Sequence, residues 1–337
     1  VCGEDSEAAR IKSGYWGESI VLQCVYHGLG TCWVSGTYDE NKVYKAMKEL
    51  NYHPNSLARN LAKGKSLTIG LVVDADNENA FANTFFTRSV YAMEKVAQRN
   101  GYSLLITNDV EEKSSPACEL IFGHRVDGLI LTASDLNQNI LSALRNENIP
   151  WVVMGETSEK NGTMNWVDMD NLQGGVKAVE HLLKCGYRKI AYVADDLEAM
   201  FTKRRIQGYE KALEGKNTCI IFKEKNEEEL ERKIIESTEH KHVDAFLCSN
   251  NIIAFQVLQA LKKLGKQVPT EIGVVTFDNY PFAEYMDPPL TVVDIDTYKL
   301  GEMAAEVLIN KIKDQNFIQR ENLISTELIP RLSTRKV

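Results

Sequence analysis

No run in the 337-residue sequence approaches the roughly 20 consecutive apolar residues of a membrane-spanning helix. Nor does the N-terminus carry a charged, then apolar, secretory leader. The expectation is a cytoplasmic protein with no membrane partner. C-x-x-C is also missing. The seven cysteines, Cys2, Cys24, Cys32, Cys118, Cys185, Cys219 and Cys248, are odd in number and widely spaced, which suits reduced thiols and excludes a small disulfide scaffold. Cys24-x2-His27-x4-Cys32 has half a metal spacing, but no second ligand pair follows, so no metal is expected. Gly28-Leu29-Gly30 lacks the third glycine and the strand–helix setting of a dinucleotide fingerprint. There is no P-loop, no Gly-x-Ser-x-Gly and no His-Glu-x-x-His. An enzyme reading therefore rests on fold analogy alone, and neither catalytic residues nor a cofactor are expected. No leucine heptads lead up to Arg335-Lys336-Val337, so no tetramerisation helix is expected.

What the chain does have is a soluble composition, 44% hydrophobic and 26% charged, with room for two or three cores. Its net charge of −8 argues against a protein coated in nucleic acid. The charge is uneven, however. Between Lys42 and Lys65 lie six Lys or Arg and one acid, Glu49. A small basic module on an acidic body fits phosphate contact by one end, or simply a solvated basic helix face.

From Leu67 onward, strands and helices alternate. Leu67–Val73, Ser103–Thr107, Gly128–Thr132 and Pro150–Met154 read as strands. Phe86, Val90, Met93 and Ala97 mark one helix face, and Ile140, Leu141 and Leu144 another. A further helical stretch lies around Cys118–Phe122. A second round begins near Asp170. Val176, Val179, Leu182 and Leu183 line a helix capped by Gly186. Ile190–Val193 is a strand, and Ile206, Tyr209, Ala212 and Leu213 line the next helix. Ala245–Ser249, a helix over Ile252–Leu264 and Ile272–Phe277 follow. Leu300, Ala304, Val307, Leu308 and Ile312 line a late helix, and Leu323–Ile329 reads as a final strand. Two parallel α/β rounds of similar size predict two lobes, with a ligand at the strands' carboxyl ends.

Residues 50–73 are the most telling. Pro54 ends the preceding helix. Asn55 or Ser56 can cap a second short helix, with Leu57 and Leu61 on one face and Arg59 and Lys63 on others. A buried strand then opens a new domain. Tyr52-x-Pro54-Asn55-x-x-Ala58-Arg59-x-Leu61 resembles the hinge of the LacI/GalR family of transcriptional regulators. Lys42-Val-Tyr-Lys-Ala-Met-Lys-Glu-Leu-Asn-Tyr52 resembles the third helix of that family's headpiece. Residues 1–37 show no helix-turn-helix motif. Either the first helices are degenerate or the frame is shifted upstream of about Tyr38, and the abrupt change of character favours the latter.

The resemblance extends over residues 38–337. Asn83-Thr84-Phe85-Phe86 is similar to the family's Asn-Pro-Phe-Phe, and Val126-Asp127-Gly128-Leu129-Ile130 to its Val-Asp-Gly-Ile-Ile strand. Asp170-Asn171-x-x-Gly174-Gly175, Glu180-His181-Leu182-Leu183-x-x-Gly186-Tyr187-Arg188, Arg205-x-x-Gly208-Tyr209 and Asp278-Asn279 match further family patterns in order. What it implies is a two-lobed, periplasmic-binding-protein-like α/β core behind a helical DNA-binding headpiece and hinge helix, the headpiece atypical or misread here. The implied effector contacts are Asn83, Phe85, Asp170, Phe201, Arg205, Asn250, Asn251 and Asp278. Charged and amide groups would bind sugar hydroxyls, and aromatics the ring face. Asn251 stands where the family usually has Asp and loses a charge. Trp166 is a further stacking candidate, although it and Phe201 could equally be core or lobe-interface residues. Taken alone, Arg205 could be a helix-end ion pair and Asp278 a turn cap.

The implied DNA contacts are Tyr52, Asn55, Ser56, Arg59 and Leu61. Leu61 would act as a minor-groove wedge, or with Leu57 pair two hinge helices across a homodimer. The expected domains are 1–54 for the headpiece, 55–66 for the hinge, 67–168 with 299–324 for one lobe, and 169–298 with 325–337 for the other. The function implied is a sugar-controlled repressor of carbohydrate-utilisation genes, its partners being operator DNA, a second copy and a sugar such as maltose or another glucoside. A periplasmic-type sugar-binding protein would share the core, but predicts a leader and no basic hinge.

Overall fold

The computed structural model describes residues 45, 48–49, 65–73, 84–108, 115–134, 136–157, 166–214, 219–224, 226–319 and 322–337. The chain divides into two compact units, Val1–Arg59 and Asn60–Val337. In the first, Lys45, Lys48 and Glu49 are helical and exposed, with Lys45 Nζ 3.9 Å from a Glu49 carboxylate oxygen. The anomalous stretch 1–37, the Cys24–His27–Cys32 spacing, the hinge residues Tyr52, Asn55, Ser56, Arg59 and Leu61, and Asn83 lie outside the described residues.

The second unit contains two six-stranded sheets. The first is formed by β1 (Thr68–Val73), β2 (Ser103–Asn108), β3 (Gly128–Thr132), β4 (Trp151–Met154), β5 (Trp166–Met169) and the short β11 (Leu323–Ile324). The second is formed by β6 (Ile190–Ala194), β7 (Ile220–Lys223), β8 (Ala245–Cys248), β9 (Gly273–Phe277), β10 (Thr291–Asp294) and β12 (Glu327–Ile329). Their orders correspond, β11-β5-β4-β3-β1-β2 and β12-β10-β9-β8-β6-β7. All pairings are parallel except that of β10 with β12. Parallel sheets are covered on both faces, so their inner strands must be apolar throughout. β3, β6, β8 and β9 meet that demand, with all of β6, β8 and β9 buried.

Helices α1 (Thr84–Arg99), α2 (Pro116–Phe122), α3 (Gln138–Asn146), α4 (Asn171–Lys184), α5 (Met200–Leu213), α6 (Glu227–Glu239), α7 (Asn251–Lys263) and α8 (Thr297–Lys313) cover the sheets. Most starts are fixed by side chains that accept an otherwise orphaned helix N–H. Asn137, Asp170, Asn226, Asn250 and Asp296 each take the N–H three residues on.

The chain passes between the lobes three times, after β5, after β10 and between β11 and β12. As a result α8, late in sequence, packs Leu300, Ala304, Val307 and Leu308 into the same core as Ile69, Leu71 and Ile130. The expected single strand Leu323–Ile329 is instead two strands in two different sheets. The break is structural: the chain changes lobes at residues 325–326, and Thr326 offers its carbonyl to Lys177 Nζ rather than to a ladder.

Each lobe contains one helix pair in backbone contact. A Cβ at Gly301 on α8 would stand 2.2 Å from the Ser89 carbonyl oxygen on α1. In the second lobe, a Cβ at Gly175 would stand 2.3 Å from the Arg205 carbonyl oxygen, and one at Gly208 2.1 Å from that of Leu172. Glycine is required at this α4–α5 crossing for space. Gly→Ala in an open helix stabilises by roughly 0.5–1 kcal/mol. At Gly208 the sign should reverse, because the obstacle is a backbone carbonyl: Gly208→Ala is expected to cost about 1–3 kcal/mol. Urea unfolding of the full chain measures this, and a neutral or stabilising outcome would refute the crossing as drawn.

Candidate functional site

β6, β8 and β9 run at their carboxyl ends directly into Asp195, Ser249–Asn250 and Asp278. In doubly wound sheets of this order, that edge is where ligands bind. The first turns of α5 and α7 stand over it, and Arg205 on α5 is its centre.

Arg205 is only 5% exposed. Its Nε donates to Asn171 Oδ1 at 2.9 Å and its NH1 to the Ser249 carbonyl at 2.7 Å. The guanidinium carbon lies 3.9 Å from the ring centroid of buried Phe277 and 5.0 Å from that of half-exposed Phe201. The remaining nitrogen, NH2, lies 4.0 Å from Asp278 Oδ1, an ionic separation and not a hydrogen bond.

Asp278 follows β9 with φ of 72°, a left-handed conformation that Asp tolerates better than most residues. The turn brings its carboxylate back against Arg205. Burial pushes this carboxyl up to about 6, against the opposing pull of Arg205 and of a hydrogen bond donated by Tyr280. Its Oδ1 is buried and has no hydrogen-bond partner among the described residues. Asn251, also buried, donates Nδ2 to the Asp278 carbonyl at 2.9 Å, and its Oδ1 likewise has no partner. Asn250 caps α7 through Ile253 N–H and turns its Nδ2 towards Asp195 Oδ2 at 3.3 Å.

Two further contacts join the lobes beside this site. The backbone N–H of Phe85, in the first turn of α1, donates to Tyr280 Oη. Tyr280 thus links the first lobe to Asp278. The Phe85 ring itself is partly buried against the first-lobe core. Glu156, just after β4, takes a two-pronged hydrogen bond from Arg204 on α5, with Nε to Oε2 at 2.6 Å. Glu156 N–H in turn donates to buried Asp168 Oδ2 at 2.9 Å. Burial raises Asp168, and this N–H and that of Met169 oppose the shift.

The structure therefore gathers Arg205, Asp278, Asn251 and Phe201 in one place, with Asn250 at the rim. Asp170 serves as the cap of α4, accepting from Gln173 N–H at 2.9 Å, and Trp166 is partly buried at the start of β5. Sequence reading passed over Tyr280, Ser249, Arg204 and Glu156. Tyr280 had a signal, standing two residues after Asp278. Arg204 and Glu156 are 48 positions apart with no local pattern to pair them.

The family model described as a periplasmic binding protein-like domain matches residues 179–334. A second, described as a putative TM nitroreductase, matches residues 1–89, most of which lie outside the described residues. Where that span is described, β1 and the start of α1 belong to the first lobe's sheet and helix pair. The HTH-type transcriptional repressor PurR of Aliivibrio salmonicida is 30% identical over 308 residues, covering 88% of this chain and 90% of that protein. The transcriptional regulator CelR, solved in complex with cellobiose, is similar at a TM-score of 0.71 and 25% identity, over 93% of this chain and 94% of that one. A LacI family transcriptional regulator from Enterococcus faecium with bound ribose shares the fold at a TM-score of 0.68 and 23% identity, over 80% of this chain and 99% of that one. With two parallel-sheet lobes of matching strand order and a repressor 30% identical along 90% of its length, this chain belongs to the LacI/GalR family of transcriptional regulators.

Proposed function

We propose that this regulator is a homodimeric repressor of carbohydrate-utilisation genes, whose operator affinity is set by a small sugar held between its lobes. The observation that carries the reading is unused hydrogen-bonding capacity in a nearly dry place. Asp278 Oδ1 accepts nothing, and Arg205 NH2 stands 4.0 Å from it without a hydrogen bond between them. A pair of adjacent hydroxyls supplies both a donor for the carboxylate and an acceptor for the guanidinium. Phe201, half exposed beside Arg205, offers an apolar face to a sugar ring. The cellobiose and ribose bound by the two similar regulators support a sugar over other ligands. Asn83, Phe85, Asp170, Asn250 and Asn251 remain the proposed outer contacts.

Ligand contact with Asp278 bears on Tyr280, which hydrogen-bonds both Asp278 and the Phe85 N–H of the other lobe. A sugar that binds better to one lobe arrangement shifts the population towards it. On the DNA side, Tyr52, Asn55, Ser56, Arg59 and Leu61 are the proposed operator contacts, with two hinges meeting on a pseudo-palindrome.

The test is calorimetry of the full chain with cellobiose, maltose and ribose. Asp278→Asn keeps the shape and should weaken the bound sugar by about tenfold or more. The pH dependence has a definite sign. Hydroxyl donors favour the ionised carboxylate, and the free carboxyl titrates at about 6. Lowering the pH from about 7 to about 5 should therefore weaken binding by about tenfold, and Asp278→Asn should flatten the profile. Unchanged affinity in the variant would remove Asp278 from the site.

The Glu156–Arg204 contact should favour the lobe arrangement seen here. Glu156→Gln keeps the size but loses the charge. Because Arg204 is about a third exposed, only about 1 kcal/mol is expected, a roughly fivefold change in sugar affinity. A cycle with Arg204→Met should show the two effects to be non-additive, and full additivity would mean the pair does not couple.

At the hinge, Leu61→Ala should shrink the gap between operator and random DNA, whereas Lys63→Ala should reduce the salt slope by about one. Gel-shift titrations at two salt concentrations distinguish them. Equal loss on both DNAs for Leu61→Ala would limit that leucine to hinge pairing.

A further inference from the structure

The edge of the first sheet opposite the cleft carries a second concavity. It lies where β4 begins, between the last turns of α3 and α8, and has a volume of about 260 Å³. Leu144 and the ring of Trp151 form its apolar wall, and Arg145, Asn148, Lys311 and Gln315 bring nitrogen donors to its rim. Among the described residues, neither Arg145 nor Lys311 has a carboxylate within ion-pair distance, and no hydrogen bond engages the side chains of Asn148 or Gln315. The indole Nε1 of Trp151 is buried and has no acceptor.

Arg145, Asn148 and Gln315 are exposed at the rim, and Lys311 is half-buried. An amine set among apolar atoms normally keeps a carboxylate close. Lys311 is depressed by burial with no neighbouring acid to offset it. Two cations and two amides stand around one small space, and no acidic side chain lines it. Two cations with no acid among the lining residues favour an acceptor carrying negative charge. The guanidinium fork matches the two oxygens of a carboxylate or phosphate, and the Trp151–Leu144 wall suits a flat apolar body. The volume lies just below the roughly 300 Å³ at which pockets for larger organic ligands begin. It therefore fits one ring with its charged group, not a disaccharide.

We propose that this pocket is a second ligand site of the protein, specific for a small organic anion, a carboxylate or phosphate borne on a flat apolar body. The site is separate from the cleft, sharing none of its residues. It does touch α8, the helix that enters the first lobe directly from β10 of the second.

The experiment is calorimetry and tryptophan emission of the full chain with phenyl phosphate, benzoate, inorganic phosphate and the uncharged benzamide. Phenyl phosphate or benzoate is expected to bind with Kd of about 1 mM or better. Benzamide should bind about tenfold more weakly for want of charge, and inorganic phosphate more weakly for want of the ring. The preference between phenyl phosphate and benzoate distinguishes a phosphate from a carboxylate headgroup. The double variant Arg145→Gln/Lys311→Gln should lose about tenfold or more, and Trp151→Phe should abolish the emission change. Both changes lie at the pocket rim and wall, and circular dichroism verifies that the variants fold. Absence of binding by both organic anions would overturn the proposal, as would benzamide binding equally well or undiminished affinity in the double variant. Binding that survives that variant but is lost in Asp278→Asn would place the anion in the cleft and overturn it equally.

Discussion

Arg205 is permanently charged and almost wholly out of water, and such a group costs several kcal/mol unless it is held on every side. The carboxyl half of the core is arranged to hold it. Asn171 comes from the start of α4, the Ser249 carbonyl from the end of β8, and Asp278 with the Phe277 ring from the end of β9. These groups can converge only because α5 lies against α4 with backbones touching, which Gly175 and Gly208 permit. The crossing and the charge are one design: the carbonyl of Arg205 itself faces the missing Cβ of Gly175. Moving the helices apart by one methyl group would withdraw the guanidinium from its partners.

The compensation is incomplete. A fully satisfied ion pair would be inert towards solutes. Here the Arg205–Asp278 separation is too long for a hydrogen bond, and the carboxyl is pushed up by burial. The cost is borne by the fold, and under the proposed function the hydroxyls of a sugar would relieve it. For folding, the sign opposes that for ligand binding. A carboxyl that binds its proton more tightly when folded loses stability as pH rises through about 6, in the range where sugar binding would improve. Tyr280, hydrogen-bonded to Asp278 and to the Phe85 N–H, ties these electrostatics to the first lobe.

How much of this was legible in the sequence depended on range. Strands buried on both faces and helices with one apolar stripe announced themselves, whereas Asp278 and Arg205 were singled out only through the family resemblance. β5, β7 and β10 were missed because each is only four residues long and is broken or ended by a charged residue, Asp168, Lys223 and Asp294, whereas the equally short β4 and β8 are apolar throughout. α6 was missed because Glu227–Glu239 is mostly charged, with Leu230 and Ile234 as its main buried apolar anchors. Leu323–Ile329 was merged into one strand because an apolar run does not reveal a change of lobe. The Glu156–Arg204 pair and the Tyr280–Phe85 link are products of tertiary placement, and nothing in either segment encodes the other.

The two ends of a parallel sheet are not equivalent, and the first and second lobes use them differently. At the carboxyl edge of the second sheet, Asp195, Ser249, Asn250 and Asp278 supply oxygens beside one guanidinium. At the amino edge of the first, Arg145, Lys311 and Asn148 supply nitrogens with no carboxylate among them. A neutral polyol can satisfy the former because it both donates and accepts. Only an acceptor can satisfy the latter, and a charged one best. The two proposed sites, with opposite charge complements, would therefore select chemically different ligands, and neither ligand could substitute for the other.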